Sequence, residues 1–243
     1  MKERLDKILV DRGLVKSRER AKALIMEGTV LVDGAPVTKA GSMISSTSAV
    51  SLKGEEIPYV SRGGLKLEAA IKFFKVDLKD KVAMDVGSST GGFTDCMLQM
   101  GVKKVYCIDV GYGQMAWALR NDPRVILLER TNIRYLDRKR IPEMIDIATA
   151  DVSFISLTKV IPRVMEFLKE SGEILALVKP QFEVGKGDVG KGGIVREEEK
   201  RLAAVESVRT ELENLGLHVI DIFQSPVPGQ KGNIEYFLYL KKG

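Results

Sequence analysis

Seven short apolar segments between residues 82 and 240 limit most strongly what this chain can fold into. The predicted strands are Val82–Val86, Val105–Val110, Val125–Leu128, Ile145–Ala150, Ile174–Val178, Leu217–Phe223 and Ile234–Leu240. The first five are nearly continuous runs of aliphatic residues, and helix-length segments separate them. Such runs are typical of parallel strands that are buried on both faces of a sheet. The pattern therefore predicts a doubly wound α/β sheet.

The C-terminal part of the pattern departs from a purely parallel sheet. Only the loop Ser225–Asn233 separates the last two strands, so we expect an antiparallel hairpin there. A helix is predicted over Val195–Leu215, because apolar residues recur there at intervals of three or four and form one core-facing stripe. Phe93 and Trp117 are expected in the core. The predicted fold is a seven-stranded, Rossmann-like α/β sheet.

The supply of histidine and cysteine excludes several kinds of site. The chain has one histidine, His218, and two cysteines, Cys96 and Cys107. A structural zinc site needs four such ligands, so zinc fingers and zinc ribbons are excluded, and so is a disulfide framework. No metal site is predicted, and acid–base chemistry would belong to lysine, aspartate or glutamate.

Charge and hydropathy bear on partners and location. The chain has 38 basic and 33 acidic residues, a net charge of +5 and a pI of about 9.1. This excess permits a nucleic-acid partner without requiring one. The longest aliphatic run, Ile174–Val178, is far shorter than a membrane span, and the first seven residues contain no apolar signal core. We therefore expect a cytoplasmic protein that does not bind a membrane.

The first 60 residues predict a separate small domain with a linker at its end. Leu5, Ile8 and Leu9 have helical spacing, Ser17 is placed to cap a second helix, and short strands follow around an Asp33-Gly34 turn. Residues 61–243 would then form the larger domain.

Basic residues of this first domain suit contacts with phosphate, although their number alone also fits an ordinary solvated face. The run from Lys16 through Arg18, Ala21, Leu24 and Gly28 to Asp33-Gly34 resembles the S4 RNA-binding domain. By this resemblance Arg18, Arg20 and Lys22 face RNA. The full set of predicted RNA contacts is Arg4, Lys16, Arg18, Arg20, Lys22 and Arg62.

A glycine-rich turn follows the first strand of the larger domain and opens a helix. It reads Asp85-Val-Gly87-Ser-Ser-Thr-Gly91-Gly92, and glycines let a backbone approach a ligand beside the free N–H groups of a helix start. Ser89 stands where the dinucleotide fingerprint has its second glycine. Asp109, at the end of the second strand, could hold ribose hydroxyls. These residues predict an adenosine-type cofactor and leave NAD and S-adenosylmethionine open.

The unusual spacing of the turn, together with seven strands and a terminal hairpin, resembles class I S-adenosylmethionine-dependent methyltransferases. That resemblance favours S-adenosylmethionine as the cofactor. The predicted cofactor contacts are Asp85, Gly87, Ser88, Ser89, Thr90, Gly91, Gly92, Asp109, Asn132 and Asp151.

Ionisable residues stand where predicted strands meet at one edge of the sheet. Asp151 ends the fourth strand, Lys179 ends the fifth and Glu235 begins the last. Ligands of open α/β sheets bind at this edge. Lys66 lies near the N-terminal turn of a preceding amphipathic helix, where a cation is unfavourable. Each residue alone also fits a cap or a surface ion pair, but their convergence predicts a site.

Alternative methyl-transfer chemistries can be weighed against these residues. A cysteine nucleophile is excluded because Cys96 and Cys107 lie in the first helix and second strand. The turn Asp151-Val-Ser-Phe154 lacks the two prolines of amino-methyltransferases. Methylation of a hydroxyl needs a group that orients and deprotonates an alcohol, and lysines beside carboxylates fit that need.

Five segments together resemble the TlyA family, bacterial rRNA 2′-O-methyltransferases with an S4 domain and an FtsJ-like catalytic domain. They begin at Ser61, Gly87, Asp151, Val178 and Gly232 and read SRGGLKL, GSSTGGFTD, DVSF, VKPQFE and GNIEY. The resemblance implies S-adenosylmethionine as cofactor and a cytidine ribose of rRNA or a ribosomal subunit as substrate. It also implies a catalytic tetrad of Lys66, Asp151, Lys179 and Glu235.

Three other functions remain to be tested. A non-catalytic RNA-binding assembly factor could keep the same fold, and an NAD-dependent dehydrogenase with an RNA-binding arm is disfavoured by Ser89. Some members of the family carry a hemolysin label, which we discount because no segment is long and apolar enough to span a membrane.

Overall fold

The computed structural model describes residues 2–15, 17–26, 28–53, 57–190 and 192–243. The chain forms two compact units, an N-terminal unit of Met1–Ser61 and a C-terminal unit of Arg62–Gly243. Lys16, one of the predicted RNA contacts, lies outside the described residues. Within these ranges no helix is both long enough and apolar enough to cross a membrane.

The N-terminal unit packs two helices against small antiparallel sheets. Its elements are β1 (Lys2–Arg4), α1 (Leu5–Asp11), α2 (Arg18–Met26), β2 (Val30–Val32), β3 (Ala35–Pro36), β4 (Met43–Ser45) and β5 (Val50–Leu52). The strand β2 lies between β3 and β5, and β1 pairs with β4. Leu5 and Leu9 are fully buried, as the helical spacing predicted, and Ile25 of α2 is fully buried as well. The short strand β1 was not predicted.

The C-terminal unit is built on one large sheet. Its strands are β6 (Val82–Val86), β7 (Lys104–Ile108), β8 (Val125–Leu128), β9 (Ile145–Ala150), β10 (Leu168–Val178), β11 (Leu217–Gln224) and β12 (Tyr236–Lys242). Within the described residues the seven strands have the order β11-β12-β10-β9-β6-β7-β8. The strands β6 to β10 are parallel, whereas β12 is antiparallel to both β10 and β11. The predicted fold class and the terminal hairpin are confirmed.

Helices cover the sheet and close its core. They are α3 (Gly63–Phe74), α4 (Gly92–Gln99), α5 (Trp117–Arg120), α6 (Ile161–Met165), α7 (Pro180–Glu183) and α8 (Glu198–Asn214), with 3₁₀ turns at Ile133–Tyr135, Arg138–Arg140, Leu157–Lys159, Lys186–Asp188 and Gln230–Gly232. The apolar stripe of α8, with Val205, Val208 and Leu212, joins the core that includes Met84 and Ala148 of the sheet. The helix is three residues shorter at its start and one shorter at its end than predicted.

Strand bounds differ from the prediction where polar residues intervene. The strand β10 begins at Leu168 rather than at Ile174, because Leu168 pairs with Ile145 before an irregularity that precedes Glu173. The residues between Leu168 and Glu173 are mostly exposed and polar, so the apolar pattern of the sequence does not indicate the first part of this strand. The strand β7 ends at Ile108, so Asp109 stands beyond it.

Candidate active site

The strand order of the sheet reverses between β6 and β9. The chain leaves these neighbouring strands at Gly87 and Asp151, and the Asp151 N–H donates to the Val86 carbonyl at 2.9 Å. In open α/β sheets, ligands bind outside the carboxyl ends of the strands at such a reversal. The structure thus brings the glycine-rich turn next to Asp151.

The glycines of the turn are required by space as well as by conformation. Gly87 has φ +85°, and a Cβ on it would lie 2.4 Å from the Asp151 carbonyl oxygen. Gly91 has φ +93°, and a Cβ there would lie 2.3 Å from Leu119 Cδ1. Gly92 is the first residue of α4. The turn is therefore a backbone cradle closed on both sides, without room for larger residues.

Asp109 fixes the second side of the cradle. Its Oδ2 accepts the Ser89 N–H and its Oδ1 accepts the Gly111 N–H, both at 2.7 Å. The Ser89 hydroxyl donates to Gln114 Oε1, and the carbonyl of Thr90 accepts the Ala116 N–H. Asp109 is half-exposed, and a carboxylate can accept more hydrogen bonds than these two. It is therefore able to bind hydroxyl groups of a ligand.

Asp85 differs from the prediction that it contacts the cofactor directly. It is fully buried, and it accepts the Thr94 hydroxyl at 2.6 Å and the Thr149 hydroxyl at 3.0 Å. Burial raises the pKa of Asp85 to about 6, and the charge of Asp151 also raises it. The reason for the difference is the strand pleat, which turns this side chain beneath the turn, where it supports the cradle.

Two other residues differ from their expected surroundings. The Oδ1 atom of Asn132, a residue predicted to contact the cofactor, accepts the Arg134 N–H at 3.1 Å and caps a 3₁₀ turn. Phe93 is in the core as expected and stacks on Phe237, but Trp117 is 68% exposed, so its prediction was wrong. Trp117 begins the short helix α5 and its ring is directed outwards, because Leu119 supplies the buried side chain of that turn.

Lys179 and Asp151 form an ion pair just beyond the carboxyl ends of β10 and β9. Lys179 Nζ lies 2.5 Å from Asp151 Oδ1, and it donates to Ser153 Oγ at 3.1 Å. The two charged side chains are mostly buried, with 12% and 23% of their surface exposed. The lysine amine is thus held in one direction by two oxygen atoms from the loop after β9.

Lys66 and Glu235 form a second ion pair. Lys66 Nζ donates to Glu235 Oε2 at 2.6 Å, and both residues are buried. Lys66 lies in the first turn of α3, where its charge is unfavourable to the helix dipole, so Glu235 supplies the compensating charge. Removal of one partner from a buried ion pair strongly destabilises the folded protein, because the other charge is left buried and unpaired.

The register of β10 and β12 brings the two pairs to one edge. Val178 pairs with Tyr236 across the antiparallel ladder, so Lys179 and Glu235, the next residues at that edge, stand opposite each other. The four predicted tetrad residues therefore make two ion pairs that lie at one edge of the sheet, with a formal charge balance of zero. Among the described residues no cluster of potential metal ligands was found.

The predicted RNA contacts of the N-terminal unit divide into two kinds. Arg4 and Arg18 each lie 2.9 Å from the buried carboxylate of Asp6 and are about half exposed. Hydrogen bonds and charge from these arginines lower the pKa of Asp6 to about 2. The Arg20 guanidinium donates to the Val60 carbonyl, whereas Lys22 is exposed on α2.

The sequence profile of FtsJ-like methyltransferases matches residues 59–242, and that of the S4 domain matches residues 3–50. The 16S/23S rRNA (cytidine-2′-O)-methyltransferase TlyA of Mycobacterium tuberculosis is 45% identical over 239 residues, which cover 98% of this chain and 89% of that protein. The chain belongs to the TlyA family of FtsJ-like methyltransferases. The C-terminal unit is its FtsJ-like part, and membership of a methyltransferase family excludes the dehydrogenase alternative.

Solved structures agree with this family and fold. A Streptococcus thermophilus structure that bears a hemolysin name is 42% identical, covers 99% of this chain and 88% of its own, and has a TM-score of 0.79. A SAM-dependent methyltransferase from Aquifex aeolicus shares the fold of the FtsJ-like unit at 18% identity. It covers 75% of this chain and 94% of its own, with a TM-score of 0.53.

The cradle also passes a test of fit for the cofactor of such enzymes. Ser88 Oγ is buried within the turn and has no hydrogen-bond partner among the described residues. Buried polar atoms are normally hydrogen-bonded, so this hydroxyl is suited to bond a polar atom of a ligand. A Cβ on Gly111 would lie 2.2 Å from Gln114 Nε2 and 3.0 Å from Asp109 Oδ1. The loop after β7 therefore packs closely against Asp109. The residues present suit a ligand with a hydroxyl-bearing sugar at Asp109 and polar atoms at the turn.

Several residues that shape the site were missed by sequence reasoning. Thr94 and Thr149 hold Asp85, Ser153 holds Lys179, and Gly229 lies against Glu235. Thr94 and Ser153 stand inside the quoted motifs GSSTGGFTD and DVSF, and these positions were the available signals. Thr149 and Gly229 lie outside the motifs and are brought in by pairing between distant strands and turns.

Proposed function

We propose that this chain transfers a methyl group from S-adenosylmethionine to a ribose 2′-hydroxyl of ribosomal RNA, with cytidine as the target nucleoside. The curated relative from Mycobacterium tuberculosis acts, by its name, on the cytidine 2′-oxygen of 16S and 23S rRNA. The observation that carries the proposal is the pair of ion pairs, Lys179–Asp151 and Lys66–Glu235, at the edge beside the glycine-rich cradle.

The cradle would hold the cofactor through its own backbone and three side chains. The backbone from Gly87 to Gly92 receives the amino-acid part, and Ser88 Oγ supplies a hydrogen bond. Asp109 accepts the ribose hydroxyls, while Asp151 accepts the methionine amine. When bound, S-adenosylmethionine supplies a methyl group on a positively charged sulfur, so the acceptor needs only alignment and loss of a proton.

Lys179 directs the target hydroxyl. Its amine is fixed by Asp151 and Ser153, and it hydrogen-bonds the 2′-oxygen so that a lone pair of that oxygen faces the methyl group. The Lys179–Asp151 pair would take up the proton that the hydroxyl loses as the oxygen–carbon bond forms and the sulfur–carbon bond breaks, with the electron pair of the broken bond going to the sulfur and leaving a neutral thioether. General acid–base assistance of this kind contributes about 10²- to 10⁴-fold to a rate.

The second ion pair positions the ribose. Lys66 and Glu235 hold each other rigidly, so the sugar meets a preformed donor and acceptor rather than two mobile chains. Alignment by such groups supplies much of the acceleration in reactions whose electrophile is already activated. Because the pair is buried, it also excludes water from one side of the acceptor.

RNA recognition would be shared between two domains, residues 1–60 and 61–243. We assign phosphate contacts to the exposed Lys22 and to the outer faces of Arg4, Arg18 and Arg20, with Arg62 beside the catalytic part. A ribosomal substrate means that the reaction occurs in the cytoplasm. No metal takes part in this scheme.

The proposal is tested by incubating the purified chain with ribosomal subunits and methyl-labelled S-adenosylmethionine. Nuclease digestion and mass spectrometry should then find a 2′-O-methylcytidine that is absent without the chain. Titration calorimetry with S-adenosylmethionine alone gives the second readout. Binding of the cofactor without a methylated ribose on any subunit, or no binding at all, would leave the non-catalytic assembly factor as the better reading.

A further inference from the structure

The space beside the carboxylate of Glu235 admits no side chain at Gly229. An ideal Cβ built on Gly229 would lie 1.9 Å from Glu235 Oε1 and 2.5 Å from its Cδ. Gly229 does not have a positive φ, so an ordinary residue could adopt its backbone conformation. The glycine is therefore needed for the room that it leaves and not for a special dihedral angle.

The turn that carries Gly229 is fixed at both ends to the start of β12. The Gly229 N–H donates to the Asn233 carbonyl at 2.8 Å, and the Ser225 N–H donates to the Glu235 carbonyl at 2.9 Å. The buried amide of Asn233 donates to the Gly193 carbonyl at 2.9 Å and accepts the Val195 N–H at 3.3 Å. A side chain at residue 229 thus could not be accommodated by a small shift of the turn.

The same turn is tied to the helix that carries Lys66. Arg62 Nη2 donates to the Pro228 carbonyl at 2.8 Å, one residue before Gly229 and one helical turn before Lys66. The contact holds α3 and the turn at a set separation. Glu235 Oε2 then meets Lys66 Nζ, while Oε1 lies against Gly229.

We propose that Gly229 is a positioning residue for methyl transfer, which acts by leaving the space in which the Glu235 carboxylate is aimed at Lys66. This inference rests on the proposed function only for its effect on rate. Its structural content, that residue 229 acts through Glu235, can be tested without any substrate. A side chain at residue 229 pushes the carboxylate away and misaligns the ribose-holding pair.

The experiment compares Gly229→Ala with Gly187→Ala in the full chain. Gly187 is a matched control, because it also lacks a positive φ and a Cβ on it would meet nothing within 4 Å. Each substitution is also made in a Glu235→Ala background, where the shortened side chain leaves room for a methyl group at residue 229. Single-turnover methyl transfer and the melting temperature are measured for all variants.

We expect Gly229→Ala to reduce the rate by about tenfold to 100-fold, as a misplacement of reacting groups by about 1 Å does. It should also lower the melting temperature. Both effects should vanish in the Glu235→Ala background, since coupled residues are non-additive. Gly187→Ala should stay within about twofold of its parent, the range of an ordinary surface change.

Equal losses in both backgrounds would overturn the proposal, because Gly229 would then serve the turn and not Glu235. An unchanged rate and melting temperature in Gly229→Ala would overturn it as well. Absence of methyl transfer by the unsubstituted chain would refute the proposed function instead, and the melting-temperature cycle would still decide the role of Gly229.

Discussion

At the scale of the residue, Asp85 shows how a carboxyl group can serve a ligand site without facing the ligand. Its two oxygens accept the hydroxyls of Thr94 and Thr149 beneath the glycine-rich turn. Its pKa is raised to about 6 chiefly because the group is buried, and the two hydroxyls oppose that rise only in part. Ionisation of Asp85 therefore lowers the free energy of unfolding.

This residue gives a pH-dependent prediction. The unfolded chain loses the Asp85 proton near 3.8 and the folded chain near 6, so its contribution to stability falls as the pH rises through that range. Relative to Asp85→Asn, the unsubstituted protein should lose about 2 kcal/mol of unfolding free energy between pH 4 and pH 7. Urea unfolding of both proteins at each pH measures the difference. A gap that does not change with pH would contradict the assignment.

Residue identity also explains which parts of the site could be predicted. Asp151, Lys179 and Glu235 were found because strand ends meet at one edge, and that rule needs only the order of strands. Their assignment to a ribose methyl transfer came from the family resemblance. The rule does not tell which way a strand-end side chain points, and so it misjudged Asp85. Gly229 was invisible, because its reason lies in a contact with Glu235 from across a turn.

At the scale of the element, the turn between β6 and α4 is the part of the proposed cofactor site in which backbone conformation and packing both require glycine. The positive φ of Gly87 and the proximity of the Asp151 carbonyl both exclude a side chain there. Sequence spacing predicted the turn well, since local glycine patterns determine local geometry. It predicted β10 poorly, since the early pairing of Leu168 with Ile145 depends on a distant strand.

The turn yields a prediction with an internal control. Gly101 has φ +89°, close to the +85° of Gly87, but a Cβ on Gly101 would meet its nearest neighbours only at 3.8 Å. Gly87→Ala and Gly101→Ala therefore share the backbone strain, and only the first adds a clash. We expect Gly87→Ala to weaken S-adenosylmethionine binding at least about tenfold beyond Gly101→Ala in calorimetric titration. Equal affinities for the two variants would show that the close approach to Asp151 is unimportant.

At the scale of the whole molecule, the proposed function assigns recognition of RNA to the N-terminal unit and methyl transfer to the C-terminal unit. The N-terminal unit matches the S4 domain, and the C-terminal unit matches FtsJ-like methyltransferases. The division follows from the change of pattern after residue 60, which was visible in the sequence because helical and strand spacing differ between the two parts. Binding of ribosomal RNA by phosphate contacts alone would depend strongly on salt.

Lys22 tests this division of labour. It is exposed on α2, so Lys22→Glu should leave the fold intact, weaken RNA binding across sequences and reduce the salt dependence of affinity by about one ion. Lys72→Glu is the comparison, since Lys72 is an exposed helical lysine of the C-terminal unit that pairs with Glu68. Filter binding at several salt concentrations measures both. If the two variants bind alike, the N-terminal unit does not supply the phosphate contact assigned to Lys22.

The proposed methyl transfer requires Lys179 to direct the acceptor hydroxyl, and replacement of this lysine is its sharpest test. Lys179→Ala is assayed for methyl transfer to ribosomal subunits, with its affinity for S-adenosylmethionine measured separately. We expect a rate lower by about 10²-fold or more, with the affinity for S-adenosylmethionine nearly unchanged. Transfer at close to the unsubstituted rate would contradict it.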